Sequence, residues 1–149
     1  MKGALMKNVT SIVLSILITL IVIGCVKPKP WDNPELIKIE RQDFAVLLAD
    51  STFFGETILS DGRRANWKVY YKDDGTSEIW VDVMTQIDKG GWDTSNPNAT
   101  SCTWWNNLRR GAKVCKLLYK IKGSDRYESY TLDGKLTDII REVRPGYHM

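Results

Sequence analysis

Apolar and polar positions divide this chain into two unlike parts. Residues 9–23 are almost wholly apolar, interrupted only by Thr10, Ser11, Ser15 and Thr19. Residues 26–34 disfavour both helix and sheet, because Pro28, Pro30 and Pro34 fix φ and remove backbone donors. Residues 35–49 place Leu36, Ile37, Phe44, Leu47 and Leu48 at partly helical spacing with no Gly or Pro inside, which predicts one short helix. From residue 52 onward the period drops to two. Segments 52–59, 66–72, 76–84, 88–94, 99–106, 112–122, 126–132 and 135–144 read as strands, separated by turn signals such as Asp73-Asp74-Gly75 and Asp133-Gly134. The alternation is clearest at 66–72, where Trp67, Val69 and Tyr71 oppose Lys68, Tyr70 and Lys72. In 76–84, Ile79, Val81 and Val83 share one face.

Such spacing predicts an all-β domain of about eight strands. Tight consecutive turns favour up-and-down order, since parallel crossovers need a dozen or more residues. Eight strands is the size at which a closed barrel is either filled by side chains or holds one small ligand. The expected fold is a small antiparallel up-and-down β-barrel after a signal peptide, with one N-terminal helix across one mouth.

The apolar run carries its own message. Lys2 and Lys7 precede it without any acidic residue, and Gly24 and Cys25 end it. A basic start, a short apolar stretch and a small residue are the parts of a secretory signal peptide. Val22-Ile23-Gly24-Cys25 resembles the lipobox of bacterial lipoproteins. In that family a peptidase cuts before the Cys, whose thiol carries a diacylglycerol. The alternative is an uncleaved anchor helix, but the run falls short of the ~20 residues a spanning helix needs. The expected division is a signal peptide over 1–24, a lipidated Cys25 with a Pro-rich tether over 25–34, and a barrel domain over 35–149. A Val after the Cys resembles outer-membrane sorting in a host with two membranes, so the expected location is the cell envelope, lipid-anchored. The tether, if fully extended, would hold the domain roughly 20–30 Å from the lipid.

Charge narrows the partners. The chain carries 21 basic and 18 acidic residues. Loss of Lys2 and Lys7 with the signal leaves the two signs nearly balanced, which argues against nucleic acid. The expected partners are the membrane, through the lipid, and a small apolar ligand or a protein. Of the three cysteines, acylation of Cys25 leaves Cys102 and Cys115, which an oxidising compartment would pair. If they face each other across a hairpin, the turn is Asn107-Leu108-Arg109-Arg110, a plausible loop. The same register assigns Cys115, Leu117, Tyr119 and Ile121 to the core face, and Lys116, Lys120 and Lys122 to solvent.

Catalytic arrangements are nearly absent. The sole histidine, His148, stands next to the C-terminus, so a Ser–His or Cys–His mechanism has no placed base and metal sites lack ligands. No cofactor or enzymatic activity is expected. Aromatic residues are abundant in the predicted strands, and they either fill the barrel or line a cavity. Trp67, Trp104 and Tyr119 are the candidate ligand-binding residues.

Residues 48–146 resemble an uncharacterised bacterial envelope family, the domain of unknown function 995. The resemblance rests on Thr52-Phe53-Phe54-Gly55, Tyr70-Tyr71 before Asp74-Gly75, Gly91-Trp92, Cys102 with Trp104-Trp105, Cys115 with Tyr119, Tyr130, Asp133-Gly134 and Pro145-Gly146. The stretch 93–101 is longer here than in that pattern. The resemblance implies a small secreted β domain in the calycin style, with a disulfide and no known reaction. Two function classes stay open. One is a lipocalin-like carrier of a small apolar ligand. The other is an interaction module, similar to the small disulfide-bonded barrels that inhibit lysozyme through polar loops. A cavity above ~300 Å³ favours the first, and a filled barrel with an exposed polar loop favours the second.

Overall fold

The computed structural model describes residues 28–149. The expected signal peptide, the expected lipidation of Cys25 and the start of the expected tether fall on residues outside those described. Among the described residues nine strands form: β1 (Leu36–Lys38), β2 (Ser51–Ile58), β3 (Arg64–Tyr71), β4 (Thr76–Val81), β5 (Asp88–Asp93), β6 (Ser101–Trp105), β7 (Val114–Ile121), β8 (Tyr127–Tyr130) and β9 (Leu136–Pro145). One α-helix, α1 (Arg41–Leu48), precedes β2. From β2 to β9 each strand pairs antiparallel with the next, and β9 pairs back onto β2. The result is a closed eight-stranded up-and-down antiparallel barrel, with β1 as an additional strand.

This topology sorts the connections into two ends. The β2–β3, β4–β5, β6–β7 and β8–β9 turns lie at one end; the β3–β4, β5–β6 and β7–β8 turns lie at the other. An eight-residue helix is marginal on its own. Helix α1 is held by Phe44 and Leu48, both buried in the main core with Phe53, Val69 and Trp92. It closes the end where β2 begins. Asp50 leaves the helix with φ 53° and turns the chain into β2.

The expected helix over 35–49 is corrected by the structure. Its first part is strand β1, whose Leu36, Ile37 and Lys38 pair with Ile121, Lys120 and Tyr119 of β7. Long-range pairing overrides a partly helical spacing here. Strand β6 pairs with only the first half of that β7 edge, through Ser101 and Lys116, Cys102 and Cys115, and Thr103 and Val114. β1 takes over the second half. Thr100, 1% exposed, joins the two: its hydroxyl donates to the Ile39 carbonyl at 2.9 Å and accepts from the Leu118 N–H at 3.0 Å. The tether is also shorter than its sequence suggests, because Pro30–Asp32 forms a 3-10 turn on the domain with Pro30 buried.

The face assignment of β7 is likewise reversed. Lys116 and Leu118 point into the barrel. Leu117 and Tyr119 point outward, where they form a second apolar cluster with Tyr130, packed by Leu36 and Leu136. Alternation identifies two faces but cannot say which is inside when an N-terminal segment buries the outer one. The Cys102–Cys115 disulfide forms in the expected register.

Candidate functional site

The barrel encloses a cavity of about 410 Å³. Its wall along β2, β3 and β4 is apolar: Phe53, Ala65, Trp67, Val69, Ile79 and Val81. Trp105, Leu118 and Ile140 continue it on other strands. Helix α1 closes the bottom through Phe44, and Leu59, Ser60, Val83, Leu108 and Arg109 ring the top. The cavity therefore opens at the end of the barrel opposite the helix.

The width of this cavity depends on one glycine. A Cβ on Gly55 would stand 2.6 Å from Trp67 Cζ2 and 2.7 Å from the Ile139 carbonyl oxygen. The Trp67 indole thus lies tight against the β2 backbone, where the β2–β9 register shifts between Phe54 and Gly55. Any side chain at this position would push the ring into the cavity. Buried Trp67 Nε1 has no hydrogen-bond partner among the described residues.

The opposite wall is polar. Ser101 and Thr103 of β6, Lys116 of β7, Ser129 of β8 and Asp138 of β9 line it. Lys116 Nζ donates to Asp138 Oδ2, which also accepts from Thr137 Oγ1 at 2.8 Å. The two charged side chains are 17% and 10% exposed, so the pair sits inside the barrel. Tyr71 also faces the cavity, and burial, aided by the Asp138 charge, pushes its phenol well above the usual range. It is a neutral hydroxyl at any physiological pH. The cavity thus presents an apolar half and a half with donors and acceptors, an arrangement suited to an amphiphile.

Asp88, 2% exposed, builds one side of the mouth. It accepts from Asn107 N–H at 3.0 Å, Leu108 N–H at 2.9 Å, Asn107 Nδ2 at 2.9 Å and Lys89 N–H at 2.9 Å. Burial alone would raise its pKa, but these donors outweigh burial and hold the carboxyl below the usual range. A depressed carboxylate stabilises the fold fully above its unfolded pKa of about 3.9, and that contribution is lost as pH falls through the folded value. Acid should therefore loosen the β6–β7 loop. Asp88→Ala should cost about 3 kcal/mol, since it leaves several donors unpaired. Denaturant titrations of both proteins between neutral pH and pH 3 check this: a wild-type stability flat down to pH 3 would contradict it.

Comparison with family models, curated protein sequences and solved structures finds no match to this chain. The residues themselves must carry the functional reading. Of the three sequence-based candidates, Trp67 lines the cavity. Trp104 does not: it stands on the outer wall, against Gly91 and under Lys113 Nζ, 5.4 Å from the ring centroid. Tyr119 is in the outer cluster, its ring centroid 5.5 Å from that of Tyr130. The structure does not bring these three together. His148 lies at the closed end, its backbone N–H donating to Thr52 Oγ1 at 3.0 Å. The Lys116–Asp138 pair escaped sequence reasoning, because a lysine alternating with apolar residues reads as solvated. An Asp inside the β9 run, flanked by Thr137 and Ile139, was the one available signal.

Proposed function

We propose that the mature protein is a lipid-anchored envelope protein that carries a small, mostly apolar ligand in its barrel. The cavity of about 410 Å³ carries this reading. It falls within the ~300–1,000 Å³ typical of small-molecule sites, and it combines apolar walls with a few polar groups. A barrel filled by its own side chains would instead have favoured an interaction module. The ligand is an amphiphile: its apolar body lies along β2–β4 and its hydrogen-bonding group meets the Lys116–Asp138 wall. Attachment through Cys25 follows from the lipobox-like sequence.

A fluorescent fatty acid with an environment-sensitive label tests the binding. Saturable uptake with quenching of tryptophan emission is expected, because Trp67 and Trp105 line the cavity. Ala65→Phe adds a ring within that cavity and should abolish uptake while the far-UV spectrum stays that of a folded barrel. Equal uptake by this variant, or none by the folded parent, would overturn the carrier reading. The anchor is tested separately: Cys25→Ala should accumulate as an unprocessed precursor without lipid label.

A further inference from the structure

The N-terminal segment joins the domain beside the open end of the barrel. Lys29 Nζ donates to the Asp133 carbonyl in the β8–β9 turn. A Cβ on Gly134 of that turn would lie 2.9 Å from Lys29, 3.0 Å from Pro30 and 3.1 Å from Trp31 side-chain atoms. Residues 29–31 are thus packed on one of the four turns that surround the mouth. Cys25 stands three residues before Pro28. Three residues span at most about 11 Å. The eight residues of β2 run about 26 Å. If Cys25 carries the proposed lipid, this short span keeps the lipid nearer the mouth than the closed end.

The surface at that end matches such a position. Val83 is 77% exposed, Trp31 53%, and Ile87 and Leu132 43% each. Val83 and Ile87 stand on the β4–β5 connection and Leu132 in the β8–β9 turn. Beside them Arg109, Arg110 and Lys135 have no carboxylate partner among the described residues. Arg109 and Arg110 both hold φ 54°, a conformation that favours glycine and costs other residues about 1–2 kcal/mol each. Two arginines in strained positions at a cavity mouth are hard to explain by folding alone. The mouth-end loops carry Arg63, Arg109, Arg110, Lys113 and Lys135 against Asp61, Asp82 and Asp133, whereas in the closed-end turns Lys72, Lys122 and Arg126 balance Asp73, Asp74 and Asp125.

We propose that the mouth-end loops form a docking face for an anionic lipid surface, so that the barrel stands mouth-down on the bilayer that holds its own lipid. Val83, Ile87 and Leu132 enter the headgroup region, and Arg109, Arg110 and Lys135 meet lipid phosphates. The ligand then passes between bilayer and cavity without crossing water. The orientation rests on the anchor reading of Cys25, and the ligand route rests on the carrier reading.

The full chain, processed in a bacterial host, is reconstituted in phosphatidylethanolamine–phosphatidylglycerol vesicles and its amide hydrogen exchange compared with the detergent-solubilised form. Exchange at 59–63, 82–87, 106–113 and 131–135 should slow several-fold, and exchange at 72–75, 94–100 and 122–126 should not. Phosphatidylcholine vesicles, or Arg109→Ser with Arg110→Ser, should remove most of the slowing. Slowing at the closed end, or at neither end, would overturn the proposal, as would slowing indifferent to lipid charge and to both arginines. Fatty-acid uptake measured on the same vesicles separates the two readings. Uptake without loop protection sinks the docking face alone, and loop protection without uptake supports the docking face and sinks the carrier reading alone.

Discussion

Asp138→Ala is expected to cost about 4 kcal/mol of folding stability, because it strands the Lys116 ammonium inside the barrel. Lys116 is only 17% exposed at its side chain and has no other carboxylate partner among the described residues. Breaking an interior pair by removing one member leaves a charge with only neutral neighbours and the confined cavity to compensate it. Replacing both members is a different experiment. Lys116→Met together with Asp138→Leu keeps the volume and should recover most of the loss, since packed apolar residues often equal or exceed a buried ion pair. The paired variants also separate stability from binding. The double variant should fold well yet lose affinity for an amphiphile whose polar group meets this wall. Urea titrations give the stabilities, and a single-variant loss no larger than the ~0.5 kcal/mol of an ordinary surface change would place the pair in solvent.

The second large effect is at the disulfide. Reduction of Cys102–Cys115, which closes a loop of sequence separation 13, should lower stability by about 3 kcal/mol. Cys102 is 1% exposed, so reductant should reach the bridge slowly in the native protein and faster once it unfolds. The bridge also pins the base of the β6–β7 loop, which carries Arg109 and Arg110. Asp88 holds the same loop from the other side, through the Asn107 and Leu108 N–H groups. Reduced protein should keep part of the loop structure at neutral pH and lose it in acid. Unchanged denaturation midpoints with and without reductant would remove the bridge as a source of stability.

Much of the barrel was legible because its local signals agree. Asp73-Asp74-Gly75 turns with Gly75 at φ 85°, and Trp67, Val69 and Tyr71 face inward as their alternation predicts. The hairpin register was legible because the two cysteines fix it. Two features were not, and both depend on residues distant in sequence. Leu36 and Ile37 become strand only because β7 extends beyond β6 and offers an unpaired edge. Lys116 turns inward because Leu36 and Leu136 cover the other face of β7 and Asp138, two strands away, accepts a hydrogen bond from its ammonium. The cavity shared this fate: Trp67 was visible as an aromatic strand residue, but its close approach to Gly55 involves a neighbouring strand, beside the register shift between β2 and β9. Trp104 and Trp105 show the limit most simply. Adjacent strand residues face opposite ways, and nothing local marks Trp105 as the inner one.

The handover from β6 to β1 along β7 also bears on how the protein behaves when shortened. A closed barrel offers no free strand edge, and exposed edges are where chains pair with one another and aggregate. Here closure over the last part of β7 is supplied by three residues, Leu36 to Lys38, contributed from outside the eight-strand ring. A chain trimmed to begin at α1 would bare the main-chain groups of Tyr119, Lys120 and Ile121, along with the apolar cluster that Leu36 covers. Two such chains could satisfy each other edge to edge. The short segment ahead of the helix is thus a guard against polymerisation, and a soluble form should keep every residue from Pro28 onward.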